Sequence, residues 1–246
     1  MHTHRTEAGV GLRPGAGGTI VRGAILAVMA GWLGASVQAG SITGVVRANP
    51  PRAGAEQGGG GAYESRRYKY VEKVDYEKLR DFVVYIDQPI GEVIPGAAGN
   101  QTVKTTQKDA NFEPHVLPVV VGASVRWPNE DDIFHNVFSM SDAKEFDLGY
   151  YKKEKVPEVR FDRVGRVDVF CAIHPRMHCI ILVVPNPFFA SADEKGRFTI
   201  RNVPAGTYKL RAWHERIPSQ TREVVVPETG EVKLDFTLGF GELPKS

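Results

Sequence analysis

Alternation of apolar and polar positions dominates the last third of the chain: Phe198 and Ile200, Tyr208 and Leu210, Val224 and Val226, then Val232, Leu234, Phe236 and Leu238. A period of two sends successive side chains to opposite faces, so these segments predict half-buried antiparallel strands. Asp193 to Gly196, Asn202 to Gly206 and Glu228 to Gly230 supply the turns between them. Upstream, short β-branched and aromatic runs recur at 102–107, 116–121, 124–127, 134–139, 159–162, 167–171 and 180–184, the spacing of an all-β sandwich. Residues 41–47 and 82–86 predict two earlier strands. Asn49-Pro50-Pro51 ends the first, the glycine run 58–61 reads as a loop, and 88–100 is turn-rich. The charged stretch 63–80 fits a short surface helix or an ordered excursion, and 142–146 is at most one helical turn. The fold class is all-β.

The first 39 residues belong to a different category. Arg5, Arg13 and Arg22 make a basic leader, 23–37 is apolar, and Val37-Gln38-Ala39 offers small residues before Gly40. This predicts a signal peptide cleaved after Ala39 and a periplasmic or secreted product. The alternative is a retained membrane anchor, although the run is short against the roughly 20 residues of a bilayer span. Cleavage removes three of 31 basic and one of 29 acidic residues, leaving 28 of each, so the formal charge falls from +2 to zero. A nucleic-acid footprint is thereby excluded.

Cys171 and Cys179 are the two cysteines, too few for a disulfide-built secreted scaffold. Metal ligation gives one of them a use outside the cytoplasm, and a Cys171–Cys179 disulfide is the alternative. The segment Cys171-Ala172-Ile173-His174-Pro175-Arg176-Met177 puts a thiolate, an imidazole and a thioether within seven residues, just after a strand. Period two places Val167, Val169 and Cys171 on one face of that strand, so the sulfur sits at the edge of an apolar core. His135, 36 positions before Cys171, supplies a fourth donor if the two strand ends meet at one pole of a Greek-key sandwich. Two His and one Cys with a long axial Met select an electron-transfer copper ion, whereas structural zinc prefers four Cys or His donors. No Cys-x-x-Cys-His haem motif is present. His115, His178 and His214 read as structural or surface residues. The acidic run Glu130-Asp131-Asp132 reads as a solvated loop, or as a guide for a partner.

His135-Asn136 together with Cys171-x-x-His174-x-x-Met177 resembles the cupredoxins, the blue copper family of plastocyanin, pseudoazurin and amicyanin, with a ligand loop most like that of amicyanin. The likeness spans about 103–185 and includes Phe112-Glu113-Pro114-His115, 122–129 and the turn at Phe161, Asp162 and Gly165. It implies one type 1 copper held by His135, Cys171, His174 and Met177, with Asn136 tying the two ligand loops together and supporting the Cys171 sulfur. Cys179 departs from the family pattern.

Residues 196–211 resemble the carboxypeptidase regulatory-like module, a transthyretin-like β-sandwich whose opening strands are similar to 41–46 and 82–86. The expected organisation is a signal peptide (1–39), first module strands with a glycine-rich and charged insertion (40–100), a cupredoxin copper-binding domain (101–185) and the rest of the module (186–246). The cupredoxin is then inserted in the module; two consecutive domains, packed beside each other and preceded by a stray N-terminal hairpin, are the alternative. Trp213-His214 is a candidate contact between them. The architecture resembles plastocyanin-like proteins of the methylamine utilization type. That likeness implies an electron carrier or redox-complex subunit, not an enzyme, with a c-type cytochrome or dehydrogenase as redox partner. Copper binding or delivery without redox cycling, and a non-redox interaction scaffold, are the competing readings. Five histidines after residue 39 are too few for a multicopper oxidase.

Overall fold

The computed structural model describes residues 39–50, 75–90 and 101–239, and every structural statement concerns these. The leader, the glycine run and most of the stretches 63–80 and 88–100 lie outside the described residues.

Among the described residues the chain forms strands and no helix. The first are β1 (Ala39–Ala48) and β2 (Val83–Ile86). The middle of the chain forms β3 (Thr102–Lys104), β4 (Thr106–Lys108), β5 (Asn111–Glu113), β6 (Val116–Val120), β7 (Ser124–Arg126), β8 (His135–Ser141), β9 (Lys144–Tyr151), β10 (Glu158–Arg160), β11 (Gly165–Phe170) and β12 (His178–Val184). The last are β13 (Phe189–Ser191), β14 (Arg197–Pro204), β15 (Gly206–His214), β16 (Ile217–Val226), β17 (Glu231–Lys233) and β18 (Phe236–Leu238).

Strands β6-β12-β11-β8-β9 make a five-stranded sheet, opposed by the three-stranded sheet β10-β7-β3. Between them lies an apolar core built on Trp127, Phe161, Val137, Val167, Val169 and Ile181. Strands β1 and β2 pair far along the chain. β1 lies between β14, antiparallel, and β17 and β18, parallel, while β2 lies between β13 and β15, with β16 beyond. A second core fills the space between these two sheets, with Ile42, Val84, Ile86, Phe198, Leu210 and Phe236. Gly44 is required there, because a Cβ at that position would stand 2.0 Å from the Leu234 carbonyl oxygen.

A third apolar layer joins the two halves. Along β12, Cys179, Ile181 and Val183 enter the core around Trp127, whereas Ile180, Leu182 and Val184 point the other way. They meet Val83 and Tyr85 of β2, whose alternate residues Val84 and Ile86 face the second core. β2 and β12 are thus apolar on both faces, which explains why 82–86 and 180–184 read as unbroken hydrophobic runs. Trp213 packs against this layer. His214 is buried, with its ring 4.8 Å from that of Phe82.

The expected helical turn at 142–146 is not found. Residues 144–151 form β9, an edge strand paired with β8 alone. Its Phe146 and Leu148 are only partly buried, so the period-two signal is weak.

Candidate metal centre

The loop 171–177 follows β11 and leads into β12, strands held in register from Gly165↔Val183 to Phe170↔His178. Its ends are drawn together by a hydrogen bond from Cys171 N to Met177 O, 3.2 Å. Inside it, Met177 N donates to His174 O at 2.9 Å, a β-turn with Pro175 at its second position, where the fixed φ of proline fits. The turn is what carries His174 back over Cys171.

His135 opens β8, which borders β11 in the same sheet. The approach to it is fixed by Asn129, whose Nδ2 donates to Ile133 O (3.0 Å) and Tyr151 O (3.1 Å) and whose Oδ1 accepts from Asp131 N (2.9 Å). Between Asn136 and Phe138 the pairing with β9 shifts register, a bulge of the kind that re-aims side chains next to sites. Asn136 then spans to the other loop: its Oδ1 accepts from Ala172 N (3.3 Å) while its Nδ2 donates to Asp147 (2.7 Å).

Three donors converge. His135 Nδ1 lies 3.0 Å from His174 Nδ1, and Cys171 Sγ lies 3.5 Å from His174 Nδ1 and 3.9 Å from His135 Nδ1. The point equidistant from the corners of such a triangle is about 2.0 Å from each, close to a metal–imidazole bond and a little inside a metal–thiolate bond of about 2.3 Å. A small transition-metal ion therefore fits between the three atoms as they stand. His135 is fully buried, Cys171 nearly so and His174 half-buried, which leaves one side of the triangle near solvent. Met177 is wholly buried in the same apolar cluster as Cys171.

One residue of the acidic run acts on this site. Asp131 Oδ2 sits 2.8 Å from His135 Nε2. A carboxylate accepts, so Nε2 carries the ring proton and Nδ1 of neutral His135 presents its lone pair to the cavity. Asp131 also accepts from Asp109 N (2.8 Å) and Ala110 N (3.0 Å). Burial pushes its carboxyl up, but those two amides and His135 outweigh burial and hold it below the ordinary value. The neighbour Asp132 is exposed and pairs with Lys153. In sequence the run is one feature, and folding separates Asp131 from its neighbours by bringing the 109–110 turn and His135 to it.

Cys171 and Cys179 are both free thiols. Cys179 pairs with Val169 across the strands, and burial drives its thiol pKa well above the ordinary value, so it stays protonated and inert. Next to the ligands in sequence, Ile133, Phe134 and Ile173 are about half exposed.

No curated protein matches the chain. Among solved structures that do match are a purple cupredoxin from Nitrosopumilus maritimus (22% identity, covering 33% of this chain and 98% of that one, TM-score 0.30) and a reduced amicyanin variant (27%, 41% and 97%, TM-score 0.31). A copper-containing nitrite reductase from Thermus scotoductus also matches (25% identity, 40% of this chain and 26% of that one, TM-score 0.34). Residues 186–239 match the family model of the carboxypeptidase regulatory-like domain, which β13 to β18 make up in the all-β fold described above.

Proposed function

We propose that the chain is a type 1 copper electron-transfer protein working outside the cytoplasm, in which His135 Nδ1, Cys171 Sγ, His174 Nδ1 and Met177 would hold the metal. The observation that carries this reading is the donor triangle, whose centre lies about 2.0 Å from two imidazole nitrogens and the sulfur of a largely buried cysteine. Copper supplies a one-electron couple when bound in such a site. The residues around it do the rest. Asp131 fixes the His135 tautomer, Asn136 locks the 171–177 loop to β8, and the apolar core beneath Cys171 excludes water from the sulfur. Ligand residues anchored in this way would keep their positions between oxidation states, which would keep the reorganisation small.

Half-buried His174 is the edge through which a redox partner such as a c-type cytochrome or dehydrogenase would exchange the electron, and Ile173 beside it in the chain is exposed for contact. In this reading residues 101–185 are a cupredoxin carried within the regulatory-like module, in keeping with the pairing of β1 with β14 and of β2 with β15. The leader is removed after Ala39, which N-terminal sequencing of the exported protein would check.

The test is to load the protein with Cu(II) and record its visible and electron paramagnetic resonance spectra. Intense thiolate-to-copper absorption with a narrow copper hyperfine splitting is expected. Cys171→Ser should abolish the colour, and Met177→Leu should keep it while shifting the potential. A colourless copper complex of the native chain would overturn the electron-carrier reading.

A further inference from the structure

The face of the five-stranded sheet turned away from Cys171 carries a second group of donors. On β11 and β12 the residues alternating with the core positions include Asp168, Phe170 and His178. His115 stands just ahead of β6, and its carbonyl accepts from Ile180 N of β12 at 2.8 Å. Glu215 comes from the other half of the molecule, in the turn between β15 and β16. One ring nitrogen of each histidine and one carboxylate oxygen of Glu215 lie within 4.8 Å of one another, all three residues being half-buried.

The hydrogen bonds call for a positive charge in this group. His115 Nδ1 is 3.2 Å from the backbone carbonyl of His178, which only accepts, so Nδ1 carries the ring proton. The lone pair of neutral His115 is then on Nε2, and Nε2 faces a Glu215 carboxylate oxygen at 3.1 Å. Two lone pairs at that distance repel unless a positive charge stands between them. A proton is one such charge and gives the ion pair, consistent with the upward shift that Glu215 imposes on His115 and the downward shift that His115 imposes on Glu215. A metal ion is the other, and His178 stands close enough to serve as its third donor. The position of His178 is set by Asp168, 3.0 Å from its Nε2, with Asp168 in turn held by Arg166.

We propose that His115, His178 and Glu215 form a second metal site, for a borderline divalent ion of the zinc class, fastening the five-stranded sheet to the β15–β16 turn. Two imidazoles and one carboxylate suit such an ion, with a fourth position left for water. Calcium and magnesium, which want six or more oxygens, do not suit it. The ion would cross-link three points more than 35 residues apart in sequence, at 115, 178 and 215. None of these donors belongs to the Cys171 site, so the proposal stands or falls apart from the copper reading.

The experiment is equilibrium dialysis of the metal-stripped full chain against Zn(II), with bound zinc counted by elemental mass spectrometry. It is done in the native chain and in Cys171→Ser, each with and without His115→Asn or Glu215→Gln. The expected result is that either added substitution removes one zinc per chain in both backgrounds, and that zinc raises the melting temperature of Cys171→Ser but not of its His115→Asn derivative. Unchanged zinc counts on adding His115→Asn and Glu215→Gln would overturn the proposal. Should the substituted chains fail to fold, histidine-ring NMR of the Cys171→Ser chain decides: zinc-induced shifts at His115 and His178 support the site, and shifts confined to His135 and His174 overturn it.

Discussion

Replacing Asp131 separates a ligand-orienting role from a loop-tethering one. The carboxylate accepts three hydrogen bonds, from His135 Nε2 at 2.8 Å, Asp109 N at 2.8 Å and Ala110 N at 3.0 Å, and its side chain is 15% exposed. Asp109 and Ala110 both have positive φ, 52° and 53°, so the carboxylate holds a turn that the backbone does not favour. Hydrogen bonds to a charged acceptor contribute about 1.5–3 kcal/mol each, and water entering the gap recovers part of that. Asp131→Ala should therefore destabilise the metal-free chain by about 3–5 kcal/mol in urea unfolding, and Asp131→Asn, which keeps one acceptor oxygen, by about 2 kcal/mol. Freed from Asp131, His135 also populates the tautomer with its proton on Nδ1, which removes a donor from the triangle. Loss of such a partner typically lowers metal affinity by about 10–100-fold, measured by competition with a chelator of known affinity. The pH dependence follows from the lowered carboxyl pKa. Its contribution is present above the ordinary value of 3.8 and is lost as pH falls through the folded-state value, so the native chain and Asp131→Asn should converge in stability in acid. Copper affinity within about threefold of native, with stability reduced as stated, would refute the orienting role and leave Asp131 a tether only.

Gly196 has φ of 75°, and a Cβ there would stand 2.2 Å from the Val46 carbonyl oxygen, so Gly196→Ala should force the turn away from β1 and lower stability by about 2 kcal/mol or more in denaturant titration. Ile180→Ala and Ile181→Ala should each cost about 2–5 kcal/mol in the same assay. These two neighbours are fully buried in different cores, so of the pair only Ile181→Ala should broaden the copper spectrum. Burial raises the Tyr151 phenol beyond reach of ordinary titration, so ultraviolet phenolate absorbance should show it silent in the folded chain. Its stabilising contribution is whole below the ordinary tyrosine value of 10.0 and is lost above it as the unfolded chain ionises. Cys179 should react with thiol reagents only on unfolding.

The strands legible in the sequence are those whose burial leaves a clean signature. Alternation at Phe198 and Ile200, or at Tyr208 and Leu210, marks strands with one wet face, and the unbroken run 82–86 marks one with none. β9 escaped because an edge strand with two half-buried apolar residues barely differs from a loop in pattern. At the metal centre, the short loop from Cys171 to His174 announces itself by residue type, and the structure brings His135 to it. Asp131 does not announce itself, because what distinguishes it from Glu130 and Asp132 is a turn at 109–110 that reaches it only through folding. His115, His178 and Glu215 are invisible for the same reason, since their neighbourhood is made by packing one sheet on another.

The long-range pairing of β1 bears on how the chain assembles in time. Its partners are β14, β17 and β18, so Ala39–Ala48 finds no strand to pair with until nearly the whole chain is present. The strands from β3 to β12, by contrast, find all their sheet partners among themselves. Local closure comes before distant closure when loop entropy sets the rate. The expected order is therefore the metal-centre sandwich first and the β1 pairings last, with Ile180, Leu182 and Val184 buried at the end; pulse-labelled hydrogen exchange that protected β1 before β12 would refute it.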